Sequence, residues 1–413
     1  MNELKVEIDP AEVGLDAGRL ARIEARLGRY VDEGKLAGLL VTVTRHGQLA
    51  YVAMRGQRDI EAGLPVEADT IWRLYSMTKP VTSVAAMMLY EEGAFELTDP
   101  VSAFIPSFAG ARVFTGGSDL APVTVPATEP VRIWHLLTHT AGLTYGFHRN
   151  HPVDAMYRAA GFELRKLPPI GLAAACDLWA GLPLLFQPGA EWAYSVATDV
   201  LGRVVEVASG QTLDQFFATR IFAPLGMTDT AFYASPDRLP RLAALYGRGA
   251  DGTPARMDTV DNAKEPPGYL GGGEGLVGTA GDYNRFQLML LGLPGSPAGS
   301  LDGQRLLSPR TVAYMASNHL PGGADLEAFG RPLSSEVSYE GVGFGLGFSV
   351  NLNPVAGKVI ASPGEISWGG AASTTFWVDQ AEGITASLYT QLLPSRAYPL
   401  RSQLRQLVYQ AIV

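Results

Sequence analysis

The chain has 413 residues, 47% of them hydrophobic, enough for one large or two medium domains with a full core. Its net charge is −9, from 32 basic and 41 acidic residues, and no basic cluster interrupts the sequence, which argues against nucleic acid as a partner and favours small neutral molecules. The single cysteine, Cys176, excludes an internal disulfide and a cysteine-based metal site.

The start MNELKVEIDP has no basic segment followed by an apolar one, and no apolar run reaches membrane-spanning length. The expectation is a cytoplasmic protein without a membrane partner, cofactor or metal. Leu20, Ile23, Leu27, Tyr30 and Val31 mark an amphipathic helix, and residues 39–56 read as a hairpin turning at His46-Gly47.

LYSMTKPVTS (74–83) follows. Pro80 has no amide hydrogen and a helix can spare only its first donors, so a helix here begins near Met77. Val81, Val84, Ala85, Met88 and Leu89 recur at spacings of three and four, predicting a buried helix to about Glu92 with Gly93 as its stop. Ser76 stands at the start of that helix, and Lys79 projects from the same face one turn later. A serine three places before a lysine is commonly a cap beside a solvated cation. In so apolar a helix, loss of water favours the neutral amine, the form a base needs, and the pair becomes a candidate nucleophile and base.

From about 91 to 280 the chain is rich in Pro, Gly and helical patches with few strand signals. PGAEWAYSVATDVLGRVVEVASG (188–210) places Tyr194 in a loop before a helix with an apolar face of Val200, Leu201, Val204, Val205 and Ala208, ended by Gly210. His135, His139, His148 and His151 cluster, but no G-x-S-x-G turn accompanies them. Leu136 also stands where a zinc protease has glutamate, and His139 reads as structural. The run YLGGGEGLVGTAGDYNRF (269–286) lacks the Lys-Ser/Thr ending of a phosphate loop, so nucleotide binding is rejected.

GFGLGFSV (343–350), GKVIAS (357–362), STTFWVD (373–379) and GITASLYT (383–390) read as four strands, and LRSQLRQLVYQAIV (400–413) as a closing helix. Trp368-Gly369-Gly370 precedes the third, and paired glycines there indicate a close approach to the backbone. The expected class is α+β. One antiparallel sheet is built from both chain ends (1–90 and 281–413) and flanked by helices, with a mostly helical domain (91–280) inserted.

Taken together, Ser76-Met77-Thr78-Lys79, HLLTHTAGL (135–143), PGAEWAYS (188–195), PLGMTDTAF (224–232), the 271–286 glycine stretch, GFGLGF (343–348) and SWGGA (367–371) resemble the serine β-lactamase and penicillin-binding-protein superfamily. The resemblance runs over nearly the whole chain and is strongest to the family VIII carboxylesterases, which are similar to class C β-lactamases. It implies that Ser76 forms an acyl-enzyme and that Lys79 and Tyr194 share proton transfer, either serving as base. It also implies that the backbone amides of Ser76 and Ala371 form the oxyanion hole, each contributing about 3 kcal/mol to lowering the barrier.

Two departures bear on the substrate. Trp368-Gly369-Gly370 replaces the Lys-Thr-Gly of the β-lactamases, removing the cation and hydroxyl that hold a drug's carboxylate, and Val196 replaces an asparagine that would meet a β-lactam side chain. The expectation is a pocket for apolar acyl groups and a carboxylesterase acting on short-chain esters. Acyl transfer, β-lactam or D-amino acid peptide hydrolysis, and simple ligand binding stand as alternatives.

Overall fold

The computed structural model describes residues 4–163, 169–257, 262–331 and 338–413. Eight strands form one sheet: β1 (Gly38–Arg45), β2 (Gln48–Asp59), β3 (Leu64–Pro65), β4 (Val342–Phe344), β5 (Ser349–Asn351), β6 (Ile366–Gly369), β7 (Thr375–Asp379) and β8 (Ile384–Tyr389). Their spatial order is β4-β5-β6-β7-β8-β1-β2-β3, with every neighbouring pair antiparallel. The two ends of the chain meet at β1 and β8, where Leu40 faces Tyr389 and Arg45 faces Ile384. The β1–β2 hairpin turns at His46-Gly47 as expected, and both residues take the positive φ that such a two-residue turn requires.

Alternation along β1 divides the molecule into layers. Leu39, Val41 and Val43 face one way and pack with Leu20, Ile23 and Leu27 of the N-terminal helix (Ala17–Asp32) and Leu404 and Val408 of the C-terminal helix (Leu400–Tyr409). The opposite face meets the helix Ala280–Leu291, where Gln287 donates to the carbonyls of Trp377 and Ala386. From this face a single apolar cluster, including Phe376 and Val378, continues into the helices Thr78–Glu91 and Ala197–Ser209. These two helices pack side by side, which sets the start of one beside the start of the other.

Three stretches depart from the sequence reading. GKVIAS forms no strand: residues 354–358 turn back on themselves, Lys358 has a φ of 55°, and Ile360 is 58% exposed. The neighbour of β5 is instead Ile366–Gly369, in register Ser349 to Ser367. GFGLGFSV is two short strands around a turn, because Gly347, at φ 99°, passes so close to the helix that a Cβ there would lie 2.0 Å from Ser83 Oγ. The 91–280 region carries an outlying hairpin, Arg112–Gly117 with Pro122–Pro126, besides its helices. Among the described residues no helix is long and apolar enough to cross a membrane.

Candidate active site

Ser76 lies in a short 3₁₀ turn, Tyr75–Met77, that leads directly into the helix Thr78–Glu91, close to the start predicted from Pro80. Tyr75 holds a φ of 47°, a left-handed conformation that a bulky residue rarely takes, and this kink presents Ser76 at the mouth of the helix. Lys79 is fully buried. Its ammonium donates to Ser76 Oγ at 3.3 Å, to the Tyr145 hydroxyl at 3.0 Å and to the Gly273 carbonyl at 2.8 Å, using all three protons. Tyr194, just ahead of the neighbouring helix Ala197–Ser209, donates to Ser76 Oγ at 2.6 Å. The Lys79 Nζ sits 4.5 Å from the centre of the Tyr194 ring, and Trp368 Nε1 approaches the Tyr194 hydroxyl to 3.4 Å.

Of these groups Ser76, Tyr145, Tyr194 and Trp368 line a cavity of about 190 Å³ together with Phe147, Gly369, Gly370 and Ala371, while Lys79 lies buried behind Ser76. The backbone amides of Ser76 and Ala371 donate to no described residue, which leaves both available at the cavity wall. The glycine pair is tightly held. A Cβ on Gly370 would fall 2.5 Å from the Leu74 carbonyl, and one on Gly369 would fall 2.6 Å from the guanidinium of Arg401, so the close approach read from the sequence comes from the loop that leads to Ser76 and from the C-terminal helix. Val196 lies off the main cavity, in a smaller recess that shares Tyr145 and Phe147 with it.

At the edge where the lost Lys-Thr-Gly left no expected cation, the fold brings in Arg401. Its Nη2 donates to the carbonyls of Gly370 at 2.8 Å and Thr374 at 3.1 Å. A charge contributed 31 residues away along the chain cannot be seen from the SWGGA motif.

His139 is the histidine that the sequence read as structural. His139 is buried, its Nδ1 is 3.2 Å from Ser195 Oγ, and burial followed by the charge of Lys79 pushes its pKa well below the usual imidazole range. A neutral ring 5.1 Å from that of Tyr194 supports the site without taking protons from it. His135 is lowered by burial to about 4, and His148 Nε2 hydrogen-bonds the Tyr194 carbonyl at 2.7 Å. Among the described residues no group of three or more His, Cys, Asp or Glu side chains is placed to hold a metal ion.

Three members of the site escaped the sequence reading. Tyr145, two places beyond HLLTHTAGL, is a second phenol on Lys79. Asp199, on the buried face of its helix, accepts from the Gly273 amide at 2.9 Å, and burial raises its pKa. Glu274 lines the main cavity, and burial, followed by the charge of Asp199 and opposed by Lys79, raises its pKa to about 7. An acidic residue among the apolar positions of a helix was the available clue to Asp199; the glycine run gave none for Glu274.

The Beta-lactamase family model matches residues 23–410. The chain belongs to the beta-lactamase family. Esterase EstB of Burkholderia gladioli is 32% identical over 425 residues, covering 97% of this chain and 98% of that protein. Monacolin J acid methylbutanoyltransferase of Aspergillus terreus is 29% identical over 84% of each chain. Among solved structures, EstCE1, a hydrolase with promiscuous acyltransferase activity, superposes with a TM-score of 0.77 at 29% identity, covering 95% of this chain and 98% of that one. Within the beta-lactamase family this chain is a serine hydrolase of the family VIII esterase type, as its motifs suggested, with an α+β fold.

Proposed function

We propose that the protein hydrolyses short-chain carboxylic esters through an acyl-enzyme on Ser76. The observation that carries this reading is that one oxygen, Ser76 Oγ, meets both Tyr194 at 2.6 Å and Lys79 at 3.3 Å in an open cavity. Tyr194 is the nearer group; for the step to balance it acts as its phenolate, having passed its hydroxyl proton to solvent, and takes the Ser76 proton as Oγ attacks the ester carbonyl, with the Trp368 N–H 3.4 Å from its oxygen and the Lys79 ammonium 4.5 Å from its ring centre. The amides of Ser76 and Ala371 receive the developing oxyanion. Tyr194 then returns the proton to the departing alcohol. Water repeats the sequence in reverse, releasing the acid and restoring Ser76. A cytoplasmic location and a division into 1–90 with 281–413 and an inserted 91–280 belong to the same proposal.

Substrate size follows from the cavity. At about 190 Å³ it falls below the roughly 300 to 1,000 Å³ of pockets for drug-sized ligands, which favours small acyl groups. Acyl transfer is the second reading, favoured by the named activities of the fungal relative and of EstCE1. An alcohol in place of water converts the acyl-Ser76 to a new ester with the same proton movements.

The test is a series of p-nitrophenyl esters from acetate to laurate, run with and without an added alcohol on wild type and Ser76→Ala. The expected result is highest kcat/KM on acetate and butyrate, new ester in the presence of alcohol if transfer competes, and no turnover by Ser76→Ala. Wild-type preference for laurate overturns the short-chain reading. Residual turnover by the variant above a few percent of wild type removes Ser76 from its role.

A further inference from the structure

Glu274 is used nowhere in that reaction. Its carboxyl lies at the junction of the Ser76 cavity and the smaller recess, lining both, with Tyr145 and Phe147 shared between them. The recess is otherwise lined by Gly146, Phe162, Glu163, Trp179, Val196 and Tyr269, an aromatic and aliphatic wall apart from the Glu163 carboxylate. Neither carboxylate oxygen of Glu274 accepts a hydrogen bond from a described residue, and the nearby donors are taken: Lys79 spends its three protons elsewhere, and the Gly273 amide goes to Asp199. Glu274 is only partly buried, so water at the cavity reaches its carboxyl, and a donor on a bound ligand would take that water's place.

We propose that Glu274 is a specificity residue that accepts a hydrogen bond from a hydroxyl or ammonium group carried by the ester substrate. The inference rests on the esterase reading and deepens it: the preferred substrates are short esters bearing such a donor, on either the acyl or the alcohol part. A site that pairs a substrate donor favours the substrate carrying it over the analogue that lacks it. The small recess favours a short substituent; its lining carries a second carboxylate, Glu163, which is ion-paired with Arg149.

The experiment compares matched substrates that exchange a hydroxyl for a methyl. In the acyl arm these are p-nitrophenyl β-hydroxybutyrate and isovalerate; in the alcohol arm, hydroxyethyl and propyl butyrate. Wild type is expected to favour the hydroxylated member of at least one pair by about tenfold in kcat/KM. Glu274→Leu is expected to erase or invert that ratio, and Glu274→Gln, which still accepts, to retain part of it. A ratio near one in wild type for both pairs, or the same ratio in Glu274→Leu, overturns the proposal.

A binding arm separates this from the esterase reading. Calorimetry on Ser76→Ala, with and without Glu274→Leu, uses the p-nitroanilides of the two acids and the N-hydroxyethyl and N-propyl butyramides. If wild type hydrolyses none of the esters, the esterase reading fails, and the binding ratio decides Glu274 by the same criterion.

Discussion

Tyr194 and Ser76 stand 118 residues apart in the chain and share a 2.6 Å hydrogen bond. Two local events create it. The Tyr75 kink opens one helix at Ser76, Tyr194 precedes another, and the packing of those helices puts the two starts together.

Tyr194→Phe removes the hydroxyl and keeps the ring that packs on His139 and Trp368 at 5.1 and 5.5 Å between centroids. The loss of a positioned proton-transfer group lowers kcat by about 10²- to 10⁴-fold with stability unchanged. Steady-state kinetics on p-nitrophenyl butyrate beside a thermal melt check both halves. A variant within threefold of wild type assigns proton transfer to Lys79.

β-Lactams test the edge beside Trp368. Arg401 supplies a cation there, but its Nη2 is committed to the Gly370 and Thr374 carbonyls, and Val196 offers no donor to an amide side chain. The expected result is weak hydrolysis of nitrocefin, slight or no hydrolysis of benzylpenicillin, and ester kcat/KM well above both. Penicillin turnover equal to ester turnover in the same preparation reverses the assignment in favour of a β-lactamase.

Gly347→Ala tests how the sheet edge is seated on the Ser76 helix. The new Cβ meets Ser83 Oγ at 2.0 Å and Cβ at 2.5 Å, and the φ of 99° strains any side chain. The expected cost is about 2 kcal/mol or more, seen as a lower midpoint in urea. Gly110→Ala, with nothing within 4 Å of the new Cβ, is the control and stays within about 0.5 kcal/mol of wild type.

The raised pKa of Glu274 predicts the direction of a pH effect on stability. A carboxyl shifted from 4.5 to about 7 holds its proton more tightly folded than unfolded, so its contribution falls as pH rises through that window and levels above it. Asp282, raised by burial to about 6, acts in the same direction and is unaffected by a change at Glu274. Melting temperatures of Glu274→Gln and wild type are expected to diverge in favour of the variant between about pH 5 and about pH 7. A constant difference across that range contradicts the shift.

Much of this protein was legible in local pattern, because local pattern is where backbone physics acts. The proline at Pro80 placed the start of the Ser76 helix, the His46-Gly47 pair placed a hairpin, and the apolar periodicities placed the terminal helices. Ser76, Lys79 and Tyr194 were named from their positions at helix starts and from the resemblance, and the fold brings all three together. GKVIAS failed as a strand because a strand exists only where a neighbour pairs with it, and the neighbour chose Ile366–Gly369. Tyr145, Glu274 and Arg401 were beyond reach for a related reason, and Asp199 showed only as an acidic residue among apolar helix positions. Each acts on a group distant in sequence, across 66 residues for Tyr145 and Lys79, and nothing in a short stretch of chain encodes which buried polar groups will meet. The sequence alone determined where helices begin and which residues are candidates for the chemistry; tertiary packing decided what surrounds them, since burial, charge and hydrogen-bond partners are properties of neighbours.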